Sequence, residues 1–357
     1  MKIALLNLQY DNNYGGNLQR YALMTVLQRM GHNVTHLNLR FKFYPDSKLK
    51  FLKILFWRTY DKFIKRKSIS VFQEKRQKRD YIQRCETTDT FYNKYIQHTP
   101  IIETKKDLVK YTDFNMFIVG SDQVWRKDYA QMHDIGTYFF DYLKNSPSPK
   151  VAYGVSIGKN SMELSQVETS KLTELYQLFK AVSVREQNAL KILRNLHWNK
   201  PQARLVLDPT LLLTINDYKK IIQEEKTTIP SGNLFCYILD LNTTKEKIIK
   251  SIAQSKSLTP FYVDLDKHRC SIPQWLRSFD EASYVITDSY HGVIFSIIFK
   301  KPFFLLENKS RGQSRFQNLS ESLGIEFDSS KMNWDSVEKK ISLGQQESIN
   351  FLIENLK

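Results

Sequence analysis

Cysteine is scarce in this sequence, with Cys85, Cys236 and Cys270 the only three. An odd number at such wide spacing supplies no disulfide framework and suits a reducing compartment, so a cytoplasmic location is expected. Long hydrophobic runs are lacking too. No window holds the ~18 uncharged apolar residues that a membrane-spanning helix requires. The first apolar run, Ile3–Leu8, is too short for a signal peptide, and no cleavage pattern follows it. Acidic residues are the minority charge, 37 against 53 Lys and Arg, for a net charge of +16.

What is present reads as globular: 41% hydrophobic and 25% charged residues. A chain of 357 residues exceeds one ordinary core and suggests two domains. The positive charge is concentrated between Arg40 and Arg84, which holds 15 Lys and Arg but four acids. Within it, Lys48–Lys67 reads as a basic amphipathic helix. Leu52, Leu55, Phe56, Tyr60, Phe63 and Ile64 lie on one side, and Lys50, Lys53, Arg58, Lys62, Lys65 and Arg66 lie largely on the other. Such a helix either rests on anionic lipid or packs on its own domain, and packing is the commoner arrangement. No nucleic-acid module accompanies the charge, and no nucleic-acid partner is expected.

The stretch Tyr284–Glu307 organises the rest. Tyr284–Thr287 reads as a buried strand, Asp288–Gly292 as a polar loop or cap, Val293–Phe299 as a buried helix and Phe303–Leu306 as a second strand. Strand, helix and strand make a βαβ unit, which places ligands at the carboxyl ends of its strands. His291 therefore stands at a strand end and a helix start. A structural cap is the bland reading of a lone His, but Asp288, Ser289 and Gly292 beside it favour function.

The chain opens in the same way. Lys2–Leu8 reads as a strand, Gln9–Asn17 as a loop, Leu18–Met30 as an amphipathic helix and Asn33–Leu39 as a strand. Gly15, Gly16 and Asn17 would then face a helix N-terminus, where backbone N–H groups favour an anion. An ordinary tight turn explains them equally well. Further strand ends carry Ser121, Asp122 and Gln123, then Ser156, then Arg185, then Asp208, which suggests one shared rim. Leu213–Pro230 reads as a hinge region, Asn233–Asp240 starts a second βα series, and Trp334–Lys357 holds one or two helices that strap the parts together. Domains are thus expected at 1–213, with a basic helical insertion at about 42–100, and at 214–333, followed by C-terminal helices at 334–357. Asp264-Leu265-Asp266, with His268 and Cys270, looks like a metal-binding pattern, but no third ligand is spaced to fix a geometry and no metal is expected.

NYGGNLQRYAL, GSDQVW, SVRE, LDPTLLL and TDSYHGVIFSIIFKKPF, in that order between about residue 3 and residue 325, resemble the polysaccharide pyruvyl transferase family. The resemblance implies an α/β protein of two Rossmann-like domains, GT-B-like, with the active site in the interdomain cleft. It implies phosphoenolpyruvate as donor, no separate cofactor, and as acceptor a sugar of a cell-surface polysaccharide or of its lipid-linked precursor. The product is a cyclic ketal. The family's strand-end His matches His291, expected to be the general acid, and its SxR Arg matches Arg185, expected to meet a donor anion. Asp122 falls where the family places a polar site residue. Some members carry Arg where this chain has Ser289, so another cation is expected to serve, with Lys300, Arg311 and Arg315 as candidates. Two other classes stay open: a nucleotide-sugar glycosyltransferase of the same fold, and a non-catalytic basic protein that binds lipid or nucleic acid. Peripheral contact with the inner membrane face is expected through Lys48–Lys67.

Overall fold

The computed structural model describes residues 1–45, 47–130, 134–263, 270–307 and 313–357, though not the side chains of Gln313, Ser314, Arg315 and Asn318. Its strands form two sheets, and every pairing within them is parallel. The first contains β1 (Lys2–Leu6), β2 (Asn33–His36), β3 (Met116–Val119), β4 (Lys150–Val155), β5 (Phe179–Val184) and β6 (Arg204–Leu205), in the order β2-β1-β3-β4-β5-β6. The second contains β7 (Leu234–Tyr237), β8 (Pro260–Phe261), β9 (Tyr284–Thr287) and β10 (Phe303–Leu305), in the order β10-β9-β7-β8. β3, β4, β7 and β9 are buried at every position, as expected of parallel strands covered on both faces.

In each sheet the strand order reverses beside the first strand, between β1 and β3 and between β7 and β9. Sheets of this kind bind ligands beyond the carboxyl ends of the strands at that reversal. Each half is therefore a Rossmann-like unit, and its strand order marks where a site belongs.

Several element boundaries differ from the sequence expectation for identifiable reasons. The first helix spans Tyr14–Arg29, starting four residues earlier than its apolar spacing suggests. The Asn13 side chain caps it by accepting from Gly16 N at 3.0 Å, so Gly15, Gly16 and Asn17 lie inside its first turn and not in a loop. Leu213–Pro230, expected as a hinge region, is where the chain crosses from the first sheet to the second, and it carries the Ile215–Glu224 helix, capped reciprocally by Thr214 and Asp217 and packed against the Ile272–Glu281 helix.

The two halves share a core. Tyr14 stacks on Trp275 at 5.6 Å and donates to the Cys270 carbonyl at 3.0 Å. Tyr218 donates to the Thr210 carbonyl at 2.8 Å while meeting Phe295 edge-on at 5.0 Å. The C-terminal Trp334–Asn355 helix returns to the first sheet. Ser348 Oγ accepts from Leu207 N at 2.9 Å, Glu354 pairs with Arg204, and Phe351 packs on Tyr153.

The insertion consists mainly of two helices, Lys48–Phe63 and Gln73–Tyr95. The second buries Tyr81, Cys85, Phe91 and Tyr92 in the main core. The first buries none of its residues, contrary to the packing arrangement that is commoner for such helices. All three cysteines are buried thiols. No helix among the described residues is long and apolar enough to cross a membrane.

Candidate active site

Two helices begin at the strand-order reversals, and their first turns touch. The Tyr290–Ile298 helix follows β9 and is capped by Ser289, whose Oγ accepts from Gly292 N at 3.4 Å. A Cβ on Gly292 would stand 2.1 Å from Thr287 Oγ1, so only glycine lets this helix start so close to the strand. A Cβ on Gly15, in the first turn of the opposite helix, would stand 2.1 Å from His291 Nδ1. Neither helix has an acid in its first turn. Two partial positive charges therefore converge on one spot, an arrangement that favours an anion.

That spot opens into a cleft of about 660 Å³ between the sheets. Gly15, Gly16, Asp122, Gln123, Ser289 and His291 all line it, so the structure brings six of the expected residues together. Asp122 has φ of 76°, a left-handed conformation that Asp tolerates better than most residues, and its carbonyl accepts from Val124 N and Ser156 N.

Behind the cleft lies a buried charged cluster. Asp208 Oδ2 is 3.8 Å from His291 Nε2, 2.6 Å from Arg185 Nη1 and 2.6 Å from Gln19 Nε2, while Oδ1 accepts from Thr210 Oγ1 at 2.7 Å. Burial opposes charge on Asp208, but the Arg185 and His291 charges together with the Thr210 hydrogen bonds outweigh it and hold the carboxyl below its usual range. An ionised carboxylate at that distance favours a positive imidazole by charge attraction.

Arg185, expected to meet a donor anion, stands here among carboxylates. Its side chain is fully buried, 3.3 Å from Asp122, 3.6 Å from Glu186 and 2.6 Å from Asp208, with its guanidinium 4.8 Å from the Tyr290 ring centre. Burial works against its charge, yet Tyr290 and the three carboxylates raise its pKa above the ordinary arginine value. It does not line the cleft. In the structure it is the hub of an ion cluster that holds Asp208 and Asp122 in place.

Other expected residues also stand behind the surface. Ser121 Oγ accepts from Gln19 and donates to the Gly154 carbonyl, and Ser156 bonds Glu186. Asn17 donates to the Asp11 and Asn13 carbonyls and accepts from Arg20. Lys300 pairs with Glu338 at 2.7 Å, exposed and away from the cleft. Arg311 lies outside the described residues, as does the side chain of Arg315. The Asp264, Asp266 and His268 pattern lies outside them too, while Cys270 packs its thiol against the Tyr14 hydroxyl.

The cation that sequence reasoning missed is Arg20. Arg20 and Arg84 are the Lys or Arg residues lining the cleft among the described residues. The four acids there all have cation partners: Asp11 with Arg84, Asp122 with Arg185, Asp128 with Lys159 and Asp288 with Lys245. Arg20 has no ion-pair acid among the described residues. Its Nη1 donates to Asn17 Oδ1 at 3.0 Å and its Nη2 to the Leu8 carbonyl at 2.7 Å, leaving Nε buried without a hydrogen bond. Burial lowers its pKa, with Tyr92, Tyr10 and Asp122 offsetting part of the effect. A buried cation in this state is short of an anion. Its signal was the pair Gln19-Arg20, charged and polar on a helix whose first seven residues are all buried.

The topology and the facing reversals define the α/β class of two Rossmann-like domains found in GT-B enzymes. A putative UDP-N-acetylglucosamine 2-epimerase from Listeria monocytogenes superposes with a TM-score of 0.52 at 10% identity, over 98% of this chain and 89% of that one. The UDP-GlcNAc 2-epimerase of Neisseria meningitidis gives 0.47 at 10% identity, over 100% and 99% of the two chains. Within that class, the profile of the polysaccharide pyruvyl transferase family matches residues 13–310, and the chain belongs to this family. No protein of curated function matches it in sequence.

Proposed function

We propose that this protein moves a pyruvyl group from phosphoenolpyruvate onto two hydroxyls of a sugar in a cell-surface polysaccharide or its lipid-linked precursor. The observation that carries the reading is the meeting of His291 with two helix N-termini beside the buried cation Arg20. A phosphate and a carboxylate need a fixed positive environment, and the cleft supplies one from helix dipoles and a guanidinium. An enol phosphate also needs an acid, and imidazolium is the side chain best suited to that near neutral pH.

In this reading His291 delivers its proton to the methylene carbon, which becomes a methyl group while positive charge develops at C2. One sugar hydroxyl forms a C–O bond there and gives up its proton. The bond from C2 to the phosphate oxygen then breaks, phosphate leaves carrying the electron pair, and the second hydroxyl closes the ring. Of the two protons lost by the diol, one restores His291 and one leaves with phosphate. Asp208 favours the charged form of the ring by attraction, and Arg185 holds Asp208.

The test is donor choice. Phosphoenolpyruvate should raise the unfolding temperature and, with a sugar acceptor, release phosphate in equal amount to ketal formed. Stabilisation by UDP-sugars with none by phosphoenolpyruvate would replace this reading with nucleotide-sugar chemistry.

A further inference from the structure

The Lys48–Phe63 helix turns its apolar stripe away from the protein. At 3.6 residues per turn, Leu49, Leu52, Phe56, Trp57, Tyr60 and Phe63 share one face. That face points to solvent: Leu49 is 79% exposed, Phe56 64% and Phe63 67%. The opposite side is the one that touches the protein, with Arg58 held by both oxygens of Glu74 and Phe51 against Tyr44. A contiguous exposed apolar face of this size marks an interaction surface.

Its surroundings say what covers it. Lys48, Lys50, Lys53 and Lys62 have no ion-pair acid among the described residues, and Lys53 falls within the apolar stripe by its spacing and not opposite it. Arg66 and the Asp61-paired Lys65 and Lys67 follow at the helix end. A second copy of the chain would bring like charges together, whereas an anionic surface neutralises them. Trp and Tyr on the stripe have the amphipathic rings that settle at headgroup depth.

We infer that this helix docks the protein on a bilayer containing anionic lipid, lying in the interface with Leu49, Phe56, Trp57 and Phe63 inserted and the lysines among the headgroups. The base of the insertion borders the cleft: Phe41, immediately before the insertion, and Arg84, on its second helix, both line it. Docking therefore sets the cleft mouth beside the membrane, where an acceptor carried on a lipid would present its sugar. This last step rests on the transferase reading; the docking does not.

The experiment uses the full chain with vesicles of phosphatidylglycerol and phosphatidylcholine or of phosphatidylcholine alone. Expected are co-sedimentation with the anionic vesicles, loss at high salt, and a blue shift of tryptophan emission that is absent in Trp57→Phe. Replacing Lys50, Lys53 and Lys62 by Gln should lower the partition by roughly 100-fold, the effect of three basic residues at an anionic leaflet. Leu49→Ser with Phe56→Ser and Phe63→Ser should abolish insertion. The idea is overturned by no binding to anionic vesicles at low salt, by equal binding to neutral ones, or by variants that bind as the wild type does. Self-association through this face in the absence of lipid would overturn it as well. Turnover on a water-soluble sugar acceptor is the separate readout: it should be unchanged in these variants, and its absence in the wild type would count against the transferase reading alone.

Discussion

The His291 imidazole occupies the space that a side chain on Gly15 would fill, with Nδ1 2.1 Å from the position of an ideal Cβ. The glycine is thus required by its neighbour and not by backbone conformation. Gly15→Ala should fold, since Ala favours a helix, but the ring must move. A displacement near 1 Å lowers turnover by about 100-fold in well-ordered sites. Turnover equal to wild type in Gly15→Ala would show that the ring position is unimportant.

His291→Ala should lower turnover by roughly 10²–10⁴-fold, the range for an acid–base group. Donor-induced stabilisation should largely persist, because the helix N-termini and Arg20 remain. Calorimetry with phosphoenolpyruvate beside a phosphate-release assay separates the two effects. A variant that turns over normally would remove His291 from the chemistry.

Arg20 and Arg185 should respond in opposite ways. Arg20→Met should leave the fold nearly as stable while eliminating stabilisation by phosphoenolpyruvate, and Arg20→Lys should restore it in part because charge returns without the planar fork. Arg185→Met leaves the buried Glu186 and Asp208 and the half-buried Asp122 without their cation and should destabilise the protein by about 3–5 kcal/mol, the effect of breaking a buried pair. Urea titration with and without donor measures both. Loss of donor binding in Arg185→Lys with full stability retained would return the anion site to Arg185.

Asp208 links the cluster to pH. Its pKa in the folded protein is lowered, because Arg185, His291 and the Thr210 hydrogen bonds together outweigh the effect of burial. The unfolded chain therefore binds this proton first as pH falls. The stabilisation from Asp208 is complete well above the unfolded carboxyl value of about 3.9 and is lost as pH falls through the lower folded value. The stability gap between wild type and Asp208→Asn should be widest near neutrality and shrink in acid. A gap that does not vary between pH 7 and pH 2 would mean Asp208 carries no charge in the fold.

The strands and the strand-end position of His291 were legible because β-branched and apolar runs ending in polar clusters have few other readings. The start of the first helix was not, since Tyr14–Arg20 is buried on every side and periodicity has nothing to register there. That blind spot also hid Arg20. Arg185 was found as a residue, but its carboxylate neighbours were not legible, because sequence does not reveal that Asp122, Glu186 and Asp208 converge on it. Asp208 was placed on the shared rim by its strand end but given no role beside His291. For Lys48–Phe63 the spacing gave an apolar stripe without saying which way it faces, and the stripe faces out.

The chain passes between its two sheets twice, once between the Pro209–Leu212 turn and the Ile215–Glu224 helix, and again where Lys331 leads into Trp334–Asn355. The halves are thus tethered at two places, and the notch that His291 fills above Gly15 is framed by segments from distant parts of the chain.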